Sequence, residues 1–384
     1  MTTRPYAAAR RTLSIADKMF EVNWGLILLI TIIASVGFAM LYSVAGGSFS
    51  PWASAQMMRF ALGFVVLLVV AMIDVRVWMS LAYPAYAVSL LLLIAVVIAG
   101  HVGKGAERWV SLGPIGLQPS ELMKISLVLA LARFLHGLSV EDVSKLRNLA
   151  IALVMIGIPA AFVFLQPNLG TTMIIVADGT MLLFLAGLSW WWILPAISAV
   201  LVAVPMAWQF VLHDYQKRRV LTFLDPESDA LGAGWNITQA KIAVGSGGSI
   251  GKGFLEGTQS RLNFLPEKQT DFIFTNFAEE FGFVGCIALL ILFAVVIGYG
   301  IQIATSARSQ FGRLLAMGVT LNFFFYIMIN ASMVMGLIPV VGIPMPLISY
   351  GGSAMFSVMF GFGLLMSVHV HRQVEIPRHS GGII

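Results

Sequence analysis

The chain has 384 residues, of which 59% are hydrophobic and 11% charged, with a net charge of +5 and a mean hydropathy of +0.90. A soluble domain carries about a quarter charged residues, so the composition excludes a soluble globular fold and predicts an all-α polytopic membrane protein. No Lys/Arg-rich block with interleaved aromatics is present, which excludes nucleic acid as a partner, and the single cysteine, Cys286, has neither a disulfide nor a metal-site partner.

This length leaves room for roughly ten transmembrane helices of about 20 residues. Apolar runs predict them at residues 24–43, 57–73, 81–99, 122–134, 149–164, 171–185, 190–211, 281–303, 314–338 and 354–370. The tail holding Arg4, Arg10, Arg11 and Lys18 precedes an apolar run that lacks a small-residue cleavage site, so that run reads as an uncleaved first span. Basic residues in short loops set orientation. With the N-terminus inside, Arg76, Arg133, Lys145, Arg147, Arg308, Arg313, Arg372 and Arg378 join the tail on the cytoplasmic side. The short outside loops and their edges hold only Arg59, Lys104, Arg108 and Lys124, and the remaining seven basic residues lie in one long loop, which the rule discounts. Both termini are then cytoplasmic, and one large loop, residues 213–275, is extracytoplasmic. No second domain is expected: residues 1–384 form a single transmembrane unit.

The polar chemistry gathers on the predicted outside face. Residues 100–124 contain Pro119-Ser120, which reads as a helix start with Ser120 as N-cap. Glu121 and Lys124 follow at i,i+3 and share one helical face. They form either a cavity-lining pair or an ion pair at the interface. The run QPNLGTT, residues 166–172, reads as a turn. Asp178 follows inside an apolar run, as a functional acid or a hydrogen-bonded structural one.

The large loop carries Lys217, Arg218 and Arg219 in succession, which suit a phosphate or lipid headgroups. Its QAKIAVGSGGSIGKG run fails as a phosphate loop, because Ser246 and Gly253 stand where Gly and Ser/Thr are required. The glycines instead allow the loop to fold back on helices. Next comes RLNFLPEKQTDFIFTNFAEEFGFVG, residues 261–285, with Glu267, Lys268, Asp271, Glu279 and Glu280. Asp271 falls where the outside loop meets a membrane helix, a place for a carboxylate that is paired or chemically active. Residues 336–353, GLIPVVGIPMPLISYGGS, have the Pro/Gly content of a broken or re-entrant segment. The whole face suits an amphipathic substrate with its head outside and its tail in lipid. The residues alone do not separate an enzyme from a transporter.

At ERWVSLGPIGLQPSELMK, QPNLGTT, YQKRRVLTFLDP, QAKIAVGSGGSIGKG, LPEKQTDFIFTNFAEEFG and GLIPVVGIPMPLISYGGS the chain resembles the SEDS family (shape, elongation, division and sporulation proteins) over nearly its whole length. The short N-terminal tail and the wording around Asp271 favour its rod-elongation branch over its division branch. The resemblance implies polymerisation of lipid II, a disaccharide-peptide on undecaprenyl pyrophosphate, into glycan strands outside the plasma membrane. It implies Asp271 as the essential acid and Arg108, Glu121 and Lys124 as cavity residues. Lys217, Arg218, Arg219 and Lys268 are further candidates for binding substrate. It also implies partnership with a class B penicillin-binding protein and other membrane proteins of the elongation machinery. A divalent cation, Mg or Mn, would share charge neutralisation, although no ligand cluster declares itself. A lipid flippase using Glu121, Lys124 and Asp178, and a non-catalytic scaffold, are the competing readings. Two departures stand out: Gln269 where the family commonly has His, and Asn168 where it commonly has Asp.

Overall fold

The computed structural model describes residues 14–99, 101–103, 106–112, 115–211, 214–225, 233–262 and 267–378. A short helix α1 (Ile15–Glu21) opens it, held by a reciprocal Ser14/Asp17 capping box. Three long helices follow, α2 (Trp24–Val44), α3 (Ala53–Met72) and α4 (Val75–Ala99). Strands β1 (His101–Gly103), β2 (Ala106–Leu112) and β3 (Ile115–Leu117) then make an antiparallel meander, with His101 opposite Trp109 and Val110 opposite Leu117. Next come α5 (Pro119–His136), the short α6 (Val140–Val143), α7 (Leu146–Leu165), α8 (Leu169–Leu185) and α9 (Ile193–Met206). The region expected as one large loop contains α10 (Asp214–Leu224), α11 (Ala233–Ser246) and α12 (Thr258–Arg261). The chain closes with α13 (Ile273–Ser306), α14 (Gln310–Val334) and α15 (Gly352–Val370).

Seven of these helices, α2, α3, α4, α7, α13, α14 and α15, are long and apolar enough to cross a membrane, and α8 is a shorter apolar helix. Two of the ten expected spans are weaker elements. α5 carries Glu121, Lys124 and Arg133, and the 190–211 run divides into a 3₁₀ turn, α9 and a π turn. The position of α5 explains its charges. Nearly every residue along it is buried, and it packs against α4, α14, α8 and α7. A charged helix is tolerated at membrane depth only where other helices shield it from lipid. α3 lies along α15 and α13 along α14, so α5, α14 and α15 form the middle of the bundle.

α13 begins at Ile273, a full two turns before the expected span at 281, and breaks at Gly282, whose φ of +64° is open to glycine. The break receives the Gly-rich hairpin after α11: Phe283 N–H donates to Gly248 O at 2.9 Å and Gly253 N–H to Glu280 O at 3.0 Å. The glycine run therefore serves close backbone packing, with no phosphate-loop geometry. Residues 336–351, between α14 and α15, are irregular yet contain the buried Val341, Ile343, Met345, Leu347 and Ile348. Such backbone is stable at membrane depth only when enclosed by protein.

The two ends of the bundle differ. At the end where α2 starts and α3 finishes, charged pairs recur: Arg76–Asp74 at 2.8 Å, Arg372–Glu21 at 2.7 Å and Lys145–Asp142 at 2.6 Å. Arg76 donates to Asp74 and holds its carboxyl down at about 2. The opposite end carries the candidate site.

Candidate functional site

Asp271 stands on a tight turn immediately before α13. Glu267 lies at φ +53°, and its carbonyl accepts from Thr270 N–H at 3.0 Å and Phe272 N–H at 3.4 Å. The irregular 336–351 segment clamps this turn from the side. Tyr350 N–H donates to Gln269 O at 2.8 Å, and Ser349 Oγ donates to Thr270 O at 2.6 Å. Asn330 of α14 ties both strands together, donating to Asp271 O at 3.0 Å and Ile343 O at 2.6 Å. The Asp271 carboxylate faces Gly342, where a Cβ would lie 3.3 Å from Oδ2. Asp271 is half-buried. Fixed backbone beneath a partly wet carboxylate is the arrangement a base or a substrate-orienting group requires.

Glu121 and Lys124 lie below, on α5. Their i,i+3 pair closes at 2.8 Å with both side chains essentially buried. Tyr326 of α14 completes it: its hydroxyl bonds Lys124 Nζ and Glu121 Oε2, and the ammonium sits 4.0 Å from its ring centre. Asp178 of α8 is also buried and accepts from Asn322 Nδ2 at 2.6 Å. Asn322, Tyr326 and Asn330 recur every four residues along α14, one stripe of one face. Sequence reasoning passed over all three, although polar residues at that spacing in an apolar run were a readable signal. It also passed over Tyr350.

The other acids of the 261–285 stretch are stapled. Glu279 receives Lys252 Nζ at 2.6 Å, Thr258 N at 3.0 Å and Thr258 Oγ1 at 2.8 Å. Glu280 bonds Ser43 Oγ and accepts from Leu255 N. Both carboxylates fasten the hairpin of residues 247–259 to α13.

Lys268 is half-buried, and burial lowers its ammonium from the usual lysine value. With Ser43, Gly46, Pro51 and Trp52 it lines a cavity of about 340 Å³ beside the α2–α3 connection. Lys217 is half-buried on α10. The side chains of Arg108, Arg218 and Arg219 lie outside the described residues, while their backbones lie in β2 and α10. Ser120 is not the N-cap. Helix α5 begins two residues earlier than that cap implies, at Pro119, with Gln118 in the cap position, because proline is preorganised for the first helical position. Asn168 caps α8, its side-chain oxygen accepting from Thr171 N at 3.4 Å. An amide oxygen does this as a carboxylate would, which accounts for the Asn168 departure. Among the described residues no group of three or more His, Cys, Asp or Glu is placed to hold a metal ion.

Residues 18–374 match the family of FtsW, RodA and SpoVE, described as "Cell cycle protein". The chain is 48% identical over 318 residues to the peptidoglycan glycosyltransferase MrdB of Escherichia coli K12, covering 82% of this chain and 85% of that protein. Its fold is similar to a chain solved for "structural coordination of polymerization and crosslinking by a peptidoglycan synthase complex", with TM-score 0.80, 32% identity and coverage of 91% here and 98% there. It is also similar to the rod shape determining protein RodA of Thermus thermophilus, with TM-score 0.69, 27% identity and coverage of 91% and 97%.

Proposed function

From the premise that this chain belongs to the SEDS family of FtsW, RodA and SpoVE proteins and is a multi-pass peptidoglycan glycosyltransferase, we propose that it polymerises lipid II during cell elongation, with Asp271 as general base. The carrying observation is the clamped turn: three separate main-chain attachments fix the backbone at Gln269, Thr270 and Asp271. Joining an acceptor hydroxyl to an α-linked diphosphate donor with a β outcome takes one inverting displacement. The acceptor 4-hydroxyl oxygen bonds to the anomeric carbon, the bond from that carbon to the diphosphate oxygen breaks, and the hydroxyl proton passes to Asp271. The lipid diphosphate leaves with the bonding electrons.

Lys268 supports the polar head from the cavity by the α2–α3 connection, and Arg108, Lys217, Arg218 and Arg219 add positive charge around it. Glu121, Lys124 and Tyr326 hold the floor of the site as one bonded unit, with the Lys124 charge oriented by its two partners. A divalent cation, where the reaction uses one, would share neutralisation of the substrate's diphosphate; among the described residues no group of three or more His, Cys, Asp or Glu is placed to hold it. Gln269 supports the turn through its carbonyl, so Asp271 acts without a histidine neighbour.

The concentration of ion pairs at the end opposite Asp271 supports the orientation with both termini cytoplasmic and the site extracytoplasmic. The synthase-complex likeness supports a class B penicillin-binding protein and further elongation-machinery proteins as partners. The test is polymerisation of purified lipid II by Asp271→Asn, which keeps shape and removes the base. Glycan product should collapse while the fold persists. Near-normal product would remove Asp271 from the role.

A further inference from the structure

Two helices start side by side next to the Asp271 turn, and neither start has a side-chain cap bond. α5 begins after Gln118 and α15 after Gly351. Gln118 N–H donates to Ser353 Oγ at 3.3 Å, and Ser357 Oγ donates to Glu121 O at 3.1 Å, which fixes the two ends together. First-turn N–H groups have no intrahelical acceptor and carry the positive end of the helix dipole.

Two side chains at this junction are unsatisfied. Ser120, in the first turn of α5, is 1% exposed and its Oγ has no hydrogen-bond partner. Arg59 of α3 has a buried Nη1 with no partner, and among the described residues no carboxylate forms an ion pair with it. Its position is fixed. The guanidinium carbon lies 4.5 Å from the Tyr350 ring centre. A Cβ at Gly352, the first residue of α15, would sit 3.4 Å from Arg59 Nε. Gln56, nearly one turn earlier on α3, donates to Ser349 O at 2.9 Å and accepts from Gly351 N–H at 3.3 Å. The same segment bonds Gln269 and Thr270, so the junction is mechanically continuous with the Asp271 turn.

A buried guanidinium nitrogen without an acceptor is costly; this one lies at the start of α15, which is bonded to the start of α5 with its unpartnered Ser120 hydroxyl, so a guanidinium, a hydroxyl and two helix starts can donate at this junction. That donor set selects an anion with several oxygens. We propose that Arg59, Ser120 and the N-termini of α5 and α15 form the diphosphate subsite for a polyprenyl-linked substrate. This rests on the polymerase reading above and names which groups neutralise the leaving diphosphate. Lys124, already bonded to Glu121 and Tyr326, lies one turn deeper and supports the site from below.

The test uses the full chain in detergent or nanodiscs, with geranylgeranyl diphosphate, geranylgeranyl monophosphate and phosphatidylglycerol as probes of binding and of inhibition. Wild type and Asp271→Asn should bind the diphosphate equally, with the monophosphate roughly tenfold weaker. Phosphatidylglycerol should not compete. Arg59→Gln should lose roughly tenfold or more in diphosphate affinity, Ser120→Ala a few-fold, and Arg59→Lys should recover part of the loss. Wild-type affinity in Arg59→Gln overturns the site. If that variant does not fold, wild-type affinity in Ser120→Ala does so. Equal competition by phosphatidylglycerol overturns it too, marking a lipid-headgroup site. A polymerising Asp271→Asn beside a binding-deficient Arg59→Gln sinks the base and leaves the subsite standing. A dead Asp271→Asn beside a normally binding Arg59→Gln does the reverse.

Discussion

Asp271 and Glu279 lie eight residues apart in one stretch, and the fold treats them in opposite ways. Glu279 has a side-chain exposure of 0% and is bonded by an ammonium, a hydroxyl and backbone N–H groups. Asp271 is half-buried, on a turn that other elements grip by its main chain. A carboxylate whose oxygens are saturated by the protein has its work in the fold. Asp271 instead is fixed through its main chain, with its carboxylate at a half-buried edge beside Gly342. Both look alike in sequence, as acids near the start of an apolar run.

The contrast can be broken or sharpened by experiment. Asp271→Asn should lower polymerisation of purified lipid II by ~10²–10⁴-fold, while thermal unfolding stays close to wild type. A large loss of stability in this variant would move Asp271 to the Glu279 side of the comparison. Glu279→Ala strands the partly buried Lys252 and the Thr258 N–H, and should cost about 3–5 kcal/mol, measured by thermal unfolding. The hairpin of residues 247–259 should become protease-sensitive first. Loss of activity with unchanged stability would contradict its stapling role.

Gly251→Ala strikes the same staple from the backbone side. Gly251 has φ +90°, and a Cβ there would lie 2.1 Å from Glu280 O. A cost of about 1–3 kcal/mol is expected, with activity falling only as the folded fraction falls. The smallest effect belongs to Asp74, at the other end. Its folded value, about 2, is below the unfolded value near 4. Its contribution is therefore present above pH ~4 and lost as pH falls through about 2. The pair is exposed, so Asp74→Asn should remove at most about 1 kcal/mol, flatten acid unfolding slightly and leave polymerisation at neutral pH unchanged.

Much of the architecture is legible in the residues. Apolar runs give the long helices because a membrane-crossing helix must satisfy its backbone internally over a fixed thickness, which needs a long uninterrupted run. The weaker elements are less legible for the same reason. α5 is charged, and the 190–211 run is divided by Pro205 and a π turn. The small meander of β1, β2 and β3 was not foretold, since strands of three to seven residues are too short for an alternating pattern to stand out. At the site, the i,i+3 spacing of Glu121 and Lys124 foretold their pairing, because helix geometry fixes near neighbours. Tyr326, 202 residues beyond Lys124, was not foretold.

What the sequence by itself determined is the class of molecule, the position of its long helices and, through its motifs, the family. These depend on composition and on contacts within one element. What only the tertiary structure decided is which acids are already bonded: Glu279 to Lys252, Glu280 to Ser43, Asp178 to Asn322, with the Asp271 turn gripped by Tyr350, Ser349 and Asn330. It also left Ser120 Oγ and Arg59 Nη1 buried without hydrogen-bond partners. Those facts join residues far apart in the chain, and no local pattern encodes a hydrogen bond whose two ends are brought together only by packing.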